Sequence, residues 1–339
     1  MSTVRPAPAV DETCRQVLRT TVSADRVRVR LSNVMSTTPL MLSAVTVGIR
    51  TAGAAVRDVR PLTVGGRNGA RVPAATSVTT DPVDLRVRDG DDVAVSFAIR
   101  GTATLSAHLV GAATGWCTGP RTGDHTRDLD AKAFGTVSRL GLVLESVDAP
   151  GARGVLAVGD SLTDPPLPPN TYERWTDVVA AGTGRPVANV GIGGNRVVLP
   201  GGYGSTLVER FDRDVLQRPG ATTLVLFAGT NDVSVGISRD ELTARLQALC
   251  VKAKQRGLRI VLVTLAPAHK RAATLETTRQ QVNAWIRTTP DADAVVDADA
   301  LLRDPANPRR LRSSYDLGDG LHLSAEGHRA VGTAVLASI

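Results

Sequence analysis

From Arg26 to Leu31 charged and apolar residues alternate, with Val27, Val29 and Leu31 on one face and Arg26, Arg28 and Arg30 on the other. That is the period-two signature of a strand buried on one side. Val45, Val47 and Ile49 repeat the pattern, as do Val83, Leu85 and Val87. An Asp89-Gly90 turn then leads into Val93, Val95, Phe97 and Ile99. No segment of this region has a helical period. Short strands separated by turn signals predict an all-β domain over residues 1–150, a jelly-roll-like antiparallel sandwich. The stretch from Thr118 to Asp130 has neither period and is expected to be loosely held.

From Gly154 onward the pattern changes. Val155-Leu156-Ala157-Val158 is a short, continuously apolar run that ends at Gly159-Asp160-Ser161. Further strands are predicted at Pro186 to Val190, Thr223 to Phe227, Ile260 to Val263 and Val295-Val296. Between them, helices are predicted over Tyr172 to Ala181, Ser205 to Gln217, Ser238 to Gly257 and Leu275 to Arg287, with a last one from Ser324. Ser238-Arg239-Asp240-Glu241 has the spacing of a capping box. Apolar strands alternating with helices predict a parallel sheet covered on both faces, an α/β domain over residues 151–339. Chemistry in such sheets sits at the carboxyl ends of the strands.

The remaining features mainly exclude functions. A chain of 339 residues suits two domains, and 42% hydrophobic with 22% charged residues is ordinary for a globular protein. No apolar run is long enough for a membrane helix. The first twenty residues carry Arg5, Asp11, Glu12 and Arg15 and no apolar core, so no signal peptide is read there. A cytoplasmic protein is expected, although a trimmed secreted form would look the same. The net charge of +7 comes from 40 basic residues, of which only Lys132, Lys252, Lys254 and Lys270 are lysine. They are interspersed with acids, and aromatics amount to 3%, so no nucleic-acid partner is expected. Three cysteines (Cys14, Cys117 and Cys250) form no metal-binding cluster. Free thiols are expected, with a Cys14–Cys117 bridge as the alternative. His108, His125 and His269 have no ligand at metal-binding spacing, so no metal is expected. Gly191 to Arg196 lacks the third glycine of a dinucleotide loop and no phosphate-loop motif occurs, so no cofactor is expected either.

Four positions carry candidate chemistry, each beside a predicted strand end or helix start. Ser161 follows the first α/β strand, where a hydroxyl can serve as nucleophile if a base takes its proton. Asp160 can brace the turn. Gly194 has no Cβ, so its backbone N–H can approach a substrate oxygen, and the Asn231 amide can donate to the same oxygen. Asp319 and His322 lie on one turn, where the imidazole can act as base and the carboxylate can orient it. Asp316 is the alternative carboxylate. His328 is read as a surface or packing residue.

In this order, Gly159 to Leu162 (GDSL), Gly194, Gly229 to Asp232 (GTND) and Asp319 to His322 (DxxH) resemble the SGNH (GDSL-type) serine hydrolase superfamily. The stretches NVGIGGNRV, VNAWIR and DGLHLSAEGHRAVG add to the resemblance, which spans essentially all of residues 154–339. It implies a flavodoxin-like three-layer α/β/α fold. It also implies a Ser161–His322–Asp319 triad and an oxyanion hole formed by Ser161 N–H, Gly194 N–H and Asn231. The first domain is similar to the β-sandwich preceding some bacterial carbohydrate-esterase-like members. The expected activity is hydrolysis of short acyl esters, such as acetyl, on a sugar or other hydroxylated small molecule. Two alternatives remain open: an acyltransferase or deacylase of specialised metabolism, or a catalytically silent carbohydrate-binding module. The oligomeric state is not legible.

Overall fold

In the strands Gly154–Gly159, Ala221–Phe227 and Arg259–Val263, successive side chains enter two different cores. Leu156, Val158, Leu224, Leu226, Ile260 and Leu262 pack with Leu207, Phe211, Leu242, Leu246, Val282 and Ile286. Val155, Ala157, Val225, Phe227, Val261 and Val263 pack with Trp175, Val179, Val331 and Val335. Burial on both faces explains why these strands read as continuous apolar runs. The computed structural model in which this is seen describes residues 1–109, 113–268 and 272–339. His269 lies outside the described residues.

The five-stranded sheet runs in the order Val187–Asn189, Gly154–Gly159, Ala221–Phe227, Arg259–Val263, Ala294–Val296, and every neighbouring pair is parallel. In chain terms this is 2-1-3-4-5, the order of flavodoxin-like doubly wound sheets. Ser238 caps the helix Arg239–Gln255, accepting from Glu241 N–H at 3.2 Å. Ser324 caps Ala325–Leu336 through Gly327 N–H at 3.1 Å. The first helix starts later than its apolar period suggests, at Trp175–Thr183. Asn170 and Tyr172 have φ of 67° and 52°, so the chain is not helical there. The expected helix from Ser205 divides into Leu207–Phe211 and a π-helical turn, Asp212–Leu216.

The chain forms two compact units: Met1–Ala152 with Leu167–Tyr172, and Arg153–Pro166 with Glu173–Ile339. Inclusion of Leu167–Tyr172 in the first unit has a local cause. The Tyr172 hydroxyl donates to Asp92 at 3.1 Å, and the Arg19 guanidinium lies 3.5 Å from the centre of the tyrosine ring. Asn170 Nδ2 donates to Thr114 Oγ1 at 2.9 Å.

The first unit is built mainly of strands. One sheet orders Thr136–Ser138, Gly115–Cys117, Thr13–Arg19, Asp92–Ile99, Leu40–Arg50 and Val56–Pro61, with Ala70–Val72 also on Leu40–Arg50. A second pairs Ala24–Ser32 with Ser77–Thr79, Val83–Val87 and Leu144–Asp148. The alternating residues of both sheets meet in one core that includes Val27, Val29, Leu31, Val47, Leu85, Val95 and Phe97. Arg26 and Arg30, on the polar face, are paired with Asp84 and Glu145 at 2.9 and 3.1 Å. These acids offset part of the positive charge on that face. The expected loose stretch is held in place. Thr13 Oγ1 donates to Gly123 O at 2.7 Å, Thr46 Oγ1 to Thr126 O at 2.8 Å, and Arg15 Nη2 to Asp128 O at 2.8 Å. His125 also finds a carboxylate three residues on, Asp128, at 2.8 Å.

The expectation of three free thiols is corrected. Cys14 and Cys117 face each other on adjacent strands and form a disulfide, while Cys250 is free and buried. The two partners are separated by 103 residues, so only strand order brings them together. Closing so long a loop restricts the unfolded chain. Reduction is expected to lower stability by about 2–5 kcal/mol. Urea unfolding with and without dithiothreitol checks this, and an unchanged midpoint would mean that the bridge does not stabilise the fold.

Candidate active site

The Gly154–Gly159 strand delivers its chain to a sharp turn. A Cβ on Gly159 would lie 2.3 Å from both Phe227 O and Thr163 Oγ1, so the backbone can turn there only without a side chain. Asp160, buried, holds the turn: its Oδ1 accepts from Leu162 N–H at 3.0 Å and its carbonyl from Asp164 N–H at 2.9 Å. Ser161 sits on that turn at the carboxyl end of the central strands.

The segment before the last helix brings a histidine to the serine. Asp316 Oδ1 accepts from Gly318 and Gly320 N–H at 2.8 and 2.9 Å, so Asp316 shapes this loop. Leu317 N–H donates to His322 O at 2.9 Å. Asp319 Oδ1 accepts from Leu321 and His322 N–H at 2.9 and 2.8 Å. Its other oxygen meets His322 Nδ1 at 2.5 Å, and His322 Nε2 lies 3.0 Å from Ser161 Oγ. The structure thus joins Ser161, His322 and Asp319 in one hydrogen-bonded chain. Partial burial on its own would raise the Asp319 pKa. The His322 N–H and ring, with Leu321 N–H, outweigh it and hold the carboxyl at about 2. An acceptor that stays ionised fixes the proton on His322 Nδ1, leaving Nε2 free to accept from the hydroxyl.

Gly194 lies in a loop, and Asn231 lies in a short helix bonded to the residue after that glycine. Ile192 N–H donates to Gly159 O at 3.1 Å, tying the Gly194 loop to the serine strand. Gly194 has φ +73°, and a Cβ there would lie 2.7 Å from the Tyr203 ring. Asn231 opens the short helix Thr230–Ser234 and donates from Nδ2 to Asn195 O at 2.9 Å. The buried Asp232 carboxylate accepts from Val197, Val198 and Leu199 N–H at 2.7, 2.9 and 3.2 Å. The Asn231 bond uses one of the two hydrogens of its amide.

Other predicted positions have plainer surroundings. His328 is fully buried among packed side chains. Burial, then the nearby Arg174 guanidinium and His322 ring, push it down to about 4, so it stays neutral near pH 7. Among the described residues, Glu12, Cys14 and Cys117 are close enough together to suggest a metal, but the two sulfurs are bonded to each other.

Sequence reasoning overlooked Tyr203, which is 53% exposed beside Gly194, and Arg210, which is buried below the site. Arg210 had a legible signal. Leu207, Arg210, Phe211, Asp214 and Val215 follow the spacing of a buried helical stripe, and two of those five positions are charged.

The family described as GDSL-like lipase/acylhydrolase matches residues 157–330. Similar solved structures include a member of the lipolytic protein G-D-S-L family from Veillonella parvula DSM 2008. It is 18% identical over 55% of this chain and 97% of that one, with a TM-score of 0.44. Est24, a carbohydrate acetylesterase from Sinorhizobium meliloti, is 18% identical over 55% and 97%, with a TM-score of 0.41. An active-site mutant of a family two carbohydrate esterase from Clostridium thermocellum is 12% identical over 96% and 89%, with a TM-score of 0.45. No curated protein matches the chain.

Proposed function

The chain belongs to the GDSL-like lipase/acylhydrolase family and is a carboxylic ester hydrolase, and from that premise we propose that Ser161 is its nucleophile, His322 its general base and Asp319 the base's partner. The observation that carries this reading is the unbroken hydrogen-bonded chain from Ser161 Oγ through His322 to Asp319, at 3.0 and 2.5 Å. His322 Nε2 takes the hydroxyl proton as Oγ attacks the ester carbonyl, and returns it to the departing alcohol. Water, deprotonated by the same nitrogen, then hydrolyses the acyl-enzyme. Ser161 N–H, Gly194 N–H and the second hydrogen of Asn231 Nδ2 receive the oxyanion, each worth on the order of 3 kcal/mol of barrier. Asp160 braces the turn from below.

The substrate we propose is a short acyl ester, acetyl foremost, of a sugar or another hydroxylated small molecule. The exposed Tyr203 ring beside Gly194 supports it, since an aromatic face suits the C–H face of a sugar ring. The first unit is read as a jelly-roll-like sandwich, supported by two antiparallel sheets that share a core. The Cys14–Cys117 bridge favours an oxidising compartment over the cytoplasm.

A series of p-nitrophenyl esters of increasing acyl length tests the substrate. A tight acyl pocket rejects added methylenes at ~1–3 kcal/mol each, so kcat/KM should fall at least ~10-fold beyond propionyl. Octanoate turned over as fast as acetate would sink the short-acyl reading.

A further inference from the structure

We infer that Arg210 is the positioning residue of the oxyanion site, a buried guanidinium that sets the spacing between the three segments supplying the donors. The inference rests on the reading of Ser161, Gly194 and Asn231 given above.

The side chain of Arg210 is fully buried. Its Nη2 donates to Gly159 O at 3.4 Å, two residues before Ser161. Its Nη1 donates to Val190 O at 2.8 Å, where the chain leaves the Val187–Asn189 strand for the Gly191–Gly194 loop. Its Nε donates to Asn195 Oδ1 at 3.1 Å, in the residue directly after Gly194. Asn195 extends the set of contacts. Its Nδ2 holds Tyr203 O and Ser205 O at 2.7 and 2.9 Å, and its carbonyl receives Asn231 Nδ2 at 2.9 Å. One planar cation therefore touches the serine strand and the glycine loop, and reaches the asparagine helix through a single residue.

Filling space does not explain an arginine here. Taking a guanidinium out of water costs several kcal/mol unless it is paired and hydrogen-bonded, and Leu207 and Phe211 already fill the adjoining core. Its charge is also not directed at the oxyanion, because Asp214 neutralises it at 3.1 Å. What remains is geometry. Guanidinium N–H groups form a rigid planar fork that a lysine ammonium cannot reproduce. A displacement of about 1 Å between reacting groups can cost 10²-fold in rate. Asp214 is also held by Arg213 at 2.7 and 3.0 Å, so removing Arg210 does not leave that carboxylate unpaired.

The test compares Arg210→Lys and Arg210→Met with wild type on p-nitrophenyl acetate, counting active sites by fluorophosphonate labelling. A positioning role predicts that kcat per labelled site falls ~10–100-fold. KM should move less than ~3-fold, since binding of the ground state is untouched. Affinity for phenylboronic acid, whose tetrahedral adduct on Ser161 places an oxygen in the donor site, should weaken in step with kcat. The lysine variant, which keeps the charge, should not rescue. A merely structural role would reduce the number of labelled sites or the unfolding midpoint while leaving kcat per site within ~2-fold of wild type. That result overturns the inference. If neither arginine variant folds, Asn195→Ala decides with the same readouts, and wild-type kcat per site there overturns it as well. Ser161→Ala runs alongside. Turnover surviving in that variant would overturn the site reading and this inference together, whereas its loss beside an unaffected Arg210→Lys sinks only the role of the arginine.

Discussion

Replacing Ser161 with alanine is expected to lower kcat by about ten-thousand- to million-fold while the unfolding midpoint hardly moves. The two halves of that expectation have separate structural grounds. The turn that presents Ser161 is held by Asp160, through bonds to Leu162 and Asp164 N–H that do not involve the hydroxyl. His322 is held from behind by Asp319 and through its own carbonyl by Leu317 N–H. Losing Oγ therefore removes one hydrogen bond, worth about 0.5–1.5 kcal/mol, and leaves the loops in place. The chemistry has no such reserve, because among the described residues no hydroxyl other than that of Ser161 lies within hydrogen-bond distance of His322 Nε2. Fluorophosphonate should add its mass to wild type and not to the variant. Turnover above about 1% of wild type in folded Ser161→Ala would overturn the nucleophile assignment.

The parts of this molecule that sequence made legible share a physical basis. Strands buried on both faces, such as Thr223 to Phe227, must be continuously apolar, and strands buried on one face, such as Arg26 to Leu31, must alternate. Ser161, Asp319 and His322, which meet in one hydrogen-bonded chain, stand out as candidates in the sequence because each lies in a short motif whose residues are neighbours in the chain. What escaped depends on contacts between distant segments. The Cys14–Cys117 bridge needs the strand order of the first unit. The hairpin of Arg303–Asp304 and Asn307–Leu311 is local but escaped for another reason: its second strand has four exposed residues in a row and carries no alternation to read. Tyr172 looked helical by spacing, yet its ring and hydroxyl are engaged by Arg19 and Asp92, and its φ of 52° ends any helix there. Arg210 was overlooked because a charged residue normally marks the solvent face, and here its acceptors are main-chain and side-chain oxygens from three separate places.

Asp319→Asn is expected to lower kcat about 10⁴-fold, and the reason lies in which oxygen is already occupied. Asp319 Oδ1 accepts from two backbone N–H groups, those of Leu321 and His322, at 2.9 and 2.8 Å. In the amide that position must remain the carbonyl oxygen, because an NH₂ group cannot face two donors. The NH₂ group is then turned towards His322 Nδ1, where Oδ2 now sits at 2.5 Å. A donor in that place makes Nδ1 an acceptor and moves the ring proton to Nε2, the atom that must receive the proton of Ser161. The loop keeps its shape and the base becomes an acid. In wild type the carboxyl, held at about 2 against an ordinary value near 3.9, is fully ionised above about pH 4. Its contribution to stability is present above that range and is lost as the pH falls towards 2. The loss of activity in Asp319→Asn should therefore extend across the whole pH profile above 4. A far-downfield proton resonance from the short Nδ1–H···Oδ2 bond should be seen in wild type and vanish in the variant. Retention of both the resonance and more than about a tenth of kcat would mean that another group orients His322, and the assignment of Asp319 would have to be withdrawn.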